Sequence, residues 1–478
     1  MKAYFNTFLQ MPYVFTVLAV CHSRQSCTFL GDIMKKILSV ILLASIFLFR
    51  TAFADRVAII GGGASGLVTA WLLEQNHDVT LYEAQGRLGG HANSIEVNVD
   101  GSPVVIEAGA EFFNETFYPH FLKLLRHFNI PLKTFTLVST FYTTNGDDVI
   151  ILPPYHNSSV EWKSLTPSNL CRSVQLKIVI DNSRKFLESH DTNPTLQEFA
   201  DSLTVSKGFK TSVLYPLLAA AWGVSPDDIQ DASAYNTLKY IVEGNDVSGY
   251  QWYEVTGGLK KYIEAVRASL QKTEVKLNAR VKLISNNNGH YTILAEDDSV
   301  KEYDHIVFAT DANVASYLLS TMSETADLSV LLGKIKYYDT KIAIHGDTRF
   351  MPPNRDDWRI VNVRYDGTHS ATTMYKQWKS KTPIFKTWLT YDVRPPKDTG
   401  SALPSNLYAL INYKHPTTDR NYFEVQKVIE RLQGNNNLWF AGMWTYDNDS
   451  HESAIISAIK IAERLAPNSE RLKILHSS

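Results

Sequence analysis

Three glycines that follow an apolar segment have the spacing of a phosphate-binding turn. Residues 56–60 predict a buried strand, and Gly61, Gly63 and Gly66 come directly after it in a G-x-G-x-x-G pattern. In this pattern the first glycine permits a tight turn, the second lets the backbone approach a pyrophosphate, and the third lets the next helix pack closely on the strand. Helix N-termini favour such anions because their N–H groups are free and the helix dipole is positive there.

Two further features follow at the distances that a dinucleotide site requires. Glu83 ends the second predicted strand about 20 residues after the turn, where a carboxylate can accept hydrogen bonds from ribose hydroxyls. Arg87, Gly89 and Gly90 come next, and this segment resembles the second phosphate-contacting motif of FAD-binding flavoproteins, which enzymes that hold only NAD lack. By itself it could be a Gly-Gly loop with a solvated arginine. Together with the first motif it favours FAD.

The composition is that of an ordinary globular protein. The chain has 478 residues, of which 44% are hydrophobic and 20% charged, so intrinsic disorder, coiled coil and collagen are excluded. At about 150 residues per domain, this length predicts about three domain-sized units. Its formal net charge of −2 argues against a dedicated nucleic-acid binder. We therefore expect no nucleic acid as a partner; the dinucleotide motifs instead predict a small-molecule substrate and an electron acceptor.

The N-terminal region has the pattern of a secretory signal peptide. A basic start at residues 34–36 precedes an apolar run at 37–49 and an A-x-A site that ends at Ala54. We expect residues 34–54 to be a cleaved signal, residues 1–33 to lie upstream of the true start, and the mature protein to be exported to the periplasm or secreted. The alternative is an uncleaved membrane anchor. Cleavage would leave Cys171 as the one cysteine, which we expect to be a small buried or half-buried hydrophobe.

The remaining pattern predicts an α/β protein with interrupted domains. We assign residues 55–115, 250–315 and 430–468 to a doubly wound, Rossmann-like FAD-binding domain built from discontinuous segments. Residues 116–249 and 316–429 form an inserted α+β substrate domain. Within these segments we predict hairpins at Asp100-Gly101 and at Asn145-Gly146, helices at 118–128 and 260–271, and helical structure through 160–245.

These segments, in this order, resemble the flavin-containing amine oxidase superfamily, and in particular a branch described as predicted NAD/FAD-binding, amine-oxidase-like oxidoreductases. The resemblance implies FAD, an FAD domain and a separate substrate domain, and it leaves the substrate open. One departure is Met443, because many members have a glutamate directly after the glycine equivalent to Gly442. The residues that carry the resemblance are 87–93, 215–222, 255–258, 345–352, 434, 439–442 and 451–452.

The resemblance also implies site residues. A helix that begins near 449–452 would direct its positive end at the flavin ring, and Asp449 or Ser450 is a suitable N-cap. The residues that we predict to bind the cofactor are Gly61, Gly63, Ala64, Ser65, Gly66, Glu83, Arg87, Gly89, Gly90, Val281, Gly442 and Glu452.

Three further residues are candidates for catalysis. Trp444 and Tyr446 could form an aromatic cage beside the flavin, although aromatic residues after a core strand more often serve packing. Lys341 resembles the lysine that holds a water near the reactive flavin nitrogen, or it lies on a solvated strand face. The sequence has no H-E-x-x-H helix, cysteine cluster or G-x-S-x-G elbow, so it predicts neither a metal site nor a hydrolase.

Three functions remain open. The first is an FAD-dependent oxidoreductase that oxidises a small amine or alkyl substrate by hydride transfer to flavin. The second is a desaturase or dehydrogenase of a lipid-like C–C bond, for which the helical stretch at 160–245 would line an apolar tunnel. The third is a flavin-binding protein without catalysis.

Overall fold

The structure is a computed structural model that describes residues 54–245, 251–365, 370–389 and 403–476. Nearly all of the predicted signal segment, residues 34–53, lies outside the described residues. Within the described ranges, no helix is long and apolar enough to cross a membrane.

The strands form two large sheets and several small ones. In chain order they are β1 (Arg56–Ile60), β2 (Asp78–Tyr82), β3 (Ser94–Val99), β4 (Ser102–Glu107), β5 (Leu132–Thr136), β6 (Ser139–Tyr142), β7 (Val149–Leu152), β8 (Tyr155–His156), β9 (Ser159–Val160), β10 (Gln251–Val255), β11 (Glu274–Lys276), β12 (Val281–Asn287), β13 (His290–Ala295), β14 (Val300–Tyr303), β15 (His305–Phe308), β16 (Tyr337–His345), β17 (Val361–Tyr365), β18 (Ser370–Tyr375), β19 (Phe385–Trp388), β20 (Leu407–Pro416) and β21 (Leu438–Phe440).

The helices cover both sheets. In chain order they are α1 (Ala64–Leu73), α2 (Pro119–His127), α3 (Pro167–Glu188), α4 (Leu196–Asp201), α5 (Lys207–Phe209), α6 (Tyr215–Trp222), α7 (Ala234–Asn245), α8 (Lys260–Ser269), α9 (Ala312–Leu319), α10 (Ala326–Leu332), α11 (Arg420–Leu432), α12 (His451–Leu465) and α13 (Glu470–His476). A π-helical segment, Lys210–Leu214, joins α5 to α6.

A five-stranded parallel sheet positions the predicted phosphate turn. Its strand order is β11-β2-β1-β15-β21, and β1 pairs with β2 on one side and β15 on the other. Helices α1, α8 and α12 share a buried core with these strands. The apolar run of β1 is explained by this position, because parallel strands are covered on both faces. This arrangement confirms the doubly wound fold.

A seven-stranded sheet carries the inserted segments. Its strand order is β20-β16-β19-β18-β17-β6-β7, with β16 and β20 antiparallel from Tyr337, opposite Pro416, to His345, opposite Leu407. The helices between 167 and 245 pack against one end of it, where Phe141 and Val363 share a core with Leu218. Both predicted hairpins are present, and Gly101 and Gly146 have the positive φ that their tight turns require.

Two features differ from the sequence predictions. Helices α2 and α10 and the second half of α9 (316–319) lie in segments that we assigned to the substrate domain, yet they share buried cores with the parallel sheet. Cys171 is exposed rather than buried, because it lies on the outer side of α3. The small-hydrophobe interpretation of Cys171 was therefore wrong.

Candidate functional site

The three glycines of the turn have three different environments. Gly61 has a φ of +110°, and a Cβ added there would lie 2.4 Å from the Ala309 carbonyl oxygen. A Cβ on Gly66 would lie 1.9 Å from the carbonyl oxygen of Gly61, which is the close approach of helix to strand. A Cβ on Gly63 would meet no atom within 4 Å. The turn is therefore tight on the protein side and open at Gly63, where a bound pyrophosphate needs space.

Backbone amides fix the Glu83 carboxylate at the end of β2. Its two oxygens accept hydrogen bonds from the N–H groups of Gly62 and Gln85, each at 2.7 Å. Glu83 lines the same cavity as the glycine turn. The carboxylate is thus held beside the turn, at the place expected for the ribose of a dinucleotide.

The second motif is joined directly to the first. The Gly89 N–H donates to the carbonyl of Gly62 at 2.8 Å, and Gly63 and Gly89 form a parallel bridge. Gly90 has a φ of +55°, and the Arg87 guanidinium donates to its carbonyl oxygen at 3.0 Å. The arginine is thereby held along the rim of the glycine turn.

One cavity of about 890 Å³ runs from these motifs into the inserted domain. Ten of the twelve residues predicted to bind the cofactor line it; of the other two, Gly66 packs against the Gly61 backbone and the Glu452 side chain caps α2. The ten are Gly61, Gly63, Ala64, Ser65, Glu83, Arg87, Gly89, Gly90, Val281 and Gly442.

The N-terminus of α12 closes one side of this cavity. Ser450 is the N-cap, and its hydroxyl accepts from the Ser453 N–H at 3.1 Å. Gly442 has a φ of +126°, and its N–H donates to the Ser457 hydroxyl at 2.9 Å. The Glu452 carboxylate instead points to α2, where it accepts from the backbone N–H groups of His120 and Phe121. Its side chain therefore caps α2 rather than lining the cavity.

The two candidate cage residues lie apart. Trp444 lines the main cavity, and its indole N–H donates to the Thr310 carbonyl oxygen at 2.9 Å. Tyr446 instead lines a separate cavity of about 290 Å³, where the Lys460 ammonium lies 4.3 Å from its ring centre. They do not form a cage. The aromatic side chains that line the main cavity from the inserted segments and their flanks are Phe112, Phe117, Tyr118, Trp222, Tyr240, Tyr317, Trp388 and Tyr413.

The buried lysine that lines the cavity is Lys386, whereas Lys341 does not line it; the exposed Lys414 lies at the cavity as well. Lys341 is exposed, while its strand neighbours Thr340 and Ile342 line the cavity. The reason is the alternation of side chains along a strand, which places adjacent residues on opposite faces. Lys386 on β19 is buried and lines the cavity. It belongs to no recognisable motif, so the sequence contained no signal for it.

Lys386 belongs to a buried charge network. Its ammonium donates to the Gly109 carbonyl and to Glu111, both at 3.0 Å, and Lys376 bridges Glu111 and Glu254 at 2.7 and 2.8 Å. Burial lowers the pKa of Lys386. Burial opposes the ionised form of Glu111, but the two lysines hold the pKa of its carboxyl below the usual range. The network fixes an ammonium group at the cavity wall.

Comparison with known proteins identifies the family. The model of the flavin-containing amine oxidoreductases matches residues 64–370. The chain belongs to this family. It is 23% identical to coproporphyrinogen III oxidase of Staphylococcus aureus over 394 residues, which cover 72% of this chain and 79% of that protein.

Solved structures of other proteins share the fold. A fatty acid isomerase from P. acnes that produces CLA superposes with a TM-score of 0.64 at 16% identity, covering 86% of this chain and 98% of that one. Cyclohexylamine oxidase from Brevibacterium oxydans IH-35A superposes with a TM-score of 0.62 at 15% identity, covering 88% of this chain and 100% of that one.

Membership of this family makes the protein an FAD-dependent oxidoreductase. The chain's own residues fit the cofactor, because the space at Gly63, the carboxylate of Glu83 and the N-terminus of α12 all open on one cavity. Within the described residues, no group of three or more His, Cys, Asp or Glu side chains could hold a metal ion.

Proposed function

We propose that the protein oxidises a small amine or an alkyl substrate by hydride transfer to flavin. The observation that carries this proposal is the single cavity that joins the dinucleotide turn to an aromatic wall. Bound FAD supplies the hydride acceptor, and the protein supplies orientation and electrostatics.

The chain's residues have three roles in this proposal. The aromatic wall, which includes Phe112, Phe117 and Tyr118, excludes water and orients the apolar part of the substrate. The N-terminus of α12 places a positive dipole end at the cavity, which stabilises negative charge there. Lys386, held by Glu111, presents a fixed hydrogen-bond donor at the opposite wall.

A second candidate is dehydrogenation of a C–C bond in an apolar chain. It is favoured by the apolar side chains that face the cavity from several strands, among them Ile342, Met374 and Ile411. The name of one structural neighbour, a fatty acid isomerase, agrees with such a substrate. Among the described residues, the polar side chains in this part of the wall do not favour amine oxidation over dehydrogenation of a C–C bond.

Anaerobic mixing tests both candidates. The FAD-loaded protein is mixed with primary amines and, separately, with long-chain fatty acids, and loss of the visible flavin absorbance is followed. Bleaching by amines, with hydrogen peroxide formed when oxygen is admitted, supports the first candidate. Bleaching by fatty acids alone supports the second. Tight FAD with no bleaching by either class would contradict both and favour a non-catalytic flavin-binding protein.

We also propose that the mature protein is exported after cleavage behind Ala54. The support is the basic, apolar and A-x-A pattern of residues 34–54. N-terminal sequencing and cell fractionation of the expressed chain test it. We expect a product that begins at Asp55 outside the cytoplasm, whereas an intact N-terminus in the cytosolic fraction would contradict the proposal.

A further inference from the structure

A buried aspartate and a histidine meet at the boundary between the two domains. Asp449 precedes α12, and His415 lies near the end of β20; both line the main cavity. The Asp449 side chain is 1% exposed and that of His415 is 19% exposed. His415 Nδ1 lies 3.7 Å from the Asp449 carboxylate. The His415 ring thus lies beside a nearly buried carboxylate at the wall of the cavity.

The Asp449 carboxylate lacks a strong cation. Both of its oxygens accept from the single indole N–H of Trp222, at 2.9 and 3.0 Å, and the side chain of Asn236 is a second, uncharged hydrogen-bonding partner. Among the described residues, no lysine or arginine nitrogen lies within 4.0 Å of it, and His415 is its one basic neighbour. Buried carboxylates are normally paired with a cation or several donors. Burial accordingly raises the pKa of Asp449 to about 7.

The histidine is held in place but is not satisfied. The rings of Tyr338 and His415 lie 5.7 Å apart, and the Tyr338 hydroxyl donates to the Trp222 carbonyl at 2.7 Å. His415 Nδ1 has no hydrogen-bond partner among the described residues. Burial lowers the pKa of His415 to about 4, so the ring is neutral near pH 7. Catalytic hydrogen bonds commonly shorten when substrate binds, and the 3.7 Å distance allows this.

We propose that His415 and Asp449 form the subsite that binds the nitrogen of a protonated amine substrate, with His415 in contact and Asp449 acting through it. A neutral imidazole that donates one N–H to a carboxylate can accept a hydrogen bond with its other nitrogen. The carboxylate behind the ring then supplies the negative charge that a cation requires. This inference rests on the proposed amine oxidation and names the residues that select its substrate.

Binding of an amine that cannot be oxidised tests this subsite directly. α,α-Dimethylbenzylamine has no hydrogen on the carbon that bears nitrogen, and 2-phenylpropan-2-ol is its neutral analogue of the same shape. Both are titrated into the FAD-loaded protein by calorimetry at pH 8.5. We expect the ammonium compound to bind at least tenfold more tightly, since a charge pair in a water-excluded site is strong. Equal affinities, or no binding of the amine, would overturn the proposal.

The pH dependence of this preference is a second readout that a purely structural role would not change. The titratable side chains that face Asp449 from other elements are His415, Tyr118, Tyr338 and Tyr422. Burial raises the pKa of all three tyrosines and lowers that of His415, so of these described groups only Asp449 changes charge between pH 6 and 8.5; His91, which interacts electrostatically with His415, is a further titratable group near the pair. The preference for the amine should therefore shrink as the pH falls below about 7. A constant ratio would contradict the proposal.

Variants complete the test. Asp449→Asn keeps an acceptor for Trp222 and removes the charge, and it should reduce the affinity for the amine to that for the alcohol. His415→Phe should do the same. Asp298→Asn is the matched control, because the Asp298 side chain is 85% exposed and the change in net charge is identical; it should leave both affinities within twofold. If both site variants still preferred the amine over the alcohol, other residues would be responsible for the preference and the proposal would be wrong.

The outcomes separate this inference from the proposed function. The probe cannot reduce flavin, so its binding does not depend on turnover. If the protein preferred the amine probe but no amine bleached the flavin, the proposed subsite would be supported and amine oxidation would be contradicted. If amines bleached the flavin but the protein did not prefer the cationic probe, amine oxidation would be supported and the proposed subsite would be contradicted.

Discussion

Replacing Asp449 by asparagine should stabilise the protein at alkaline pH. Burial holds the pKa of this carboxyl at about 7, against an ordinary value of 3.8. The folded protein therefore keeps a proton on Asp449 between about pH 4 and pH 7 that the unfolded chain releases. The stability that this group contributes is fully present below pH 4 and is lost as the pH rises through 7.

The size of the effect follows from the same two pKa values. At about 1.4 kcal/mol per pH unit, the difference between 3.8 and about 7 corresponds to about 4 kcal/mol at pH 8. Asparagine does not ionise and can still accept the Trp222 N–H. We expect Asp449→Asn to raise the free energy of unfolding by about 2–4 kcal/mol at pH 8 and by no more than about 1 kcal/mol at pH 4.5.

Equilibrium urea unfolding of the FAD-saturated protein measures this difference. Wild type and variant are compared at pH 4.5, 6 and 8, with reversibility checked by dilution. A gain that grows from pH 4.5 to 8 is expected. A variant that is less stable at pH 8, or a difference that does not change with pH, would refute the assignment of an uncompensated buried carboxylate.

Two pairs of substitutions test the cofactor turn and the cavity lysine. Gly63→Leu should fold and remain soluble but purify without flavin, because its side chain enters open space at the turn; Gly66→Ala should fail to fold, because its Cβ would lie 1.9 Å from the Gly61 carbonyl oxygen. Visible absorbance and circular dichroism distinguish the two, and a yellow Gly63→Leu protein would be inconsistent with the proposed cradle. Lys386→Met should slow anaerobic flavin reduction at least tenfold, whereas Lys341→Met should leave the rate within twofold; stopped-flow absorbance checks both, and the reverse order would restore Lys341 as the functional lysine.

Local patterns predicted the parts of the molecule that depend on neighbouring residues in the chain. Gly61, Gly63 and Gly66 follow one predicted strand and precede a second that ends at Glu83, and this combination predicted the tight turn that the structure shows. The hairpin at Asp100-Gly101 follows from turn chemistry, because both positions adopt a positive φ. The Ser450 cap of α12 is likewise a local signal. These features are encoded within a few residues of where they act.

The substrate side could not be predicted in the same way. Lys341 lies on β16 and Lys386 on the neighbouring strand β19. Only the face of the sheet to which each side chain points decides which lysine reaches the cavity. The sequence predicts that successive side chains alternate between the two faces of a strand, but it does not indicate which face is covered. Asp449 meets Trp222 and His415 through contacts between distant segments, so no spacing along the chain indicates them.

The most direct test of the account is the cofactor content of the purified protein. Denaturation of the wild-type chain, followed by chromatography and mass measurement of the released chromophore, identifies and counts it. The account predicts a yellow protein that releases FAD, close to one molecule per chain, and neither FMN nor NAD. A colourless protein that cannot be reconstituted with FAD would contradict the cradle at Gly63 and the oxidoreductase function built on it.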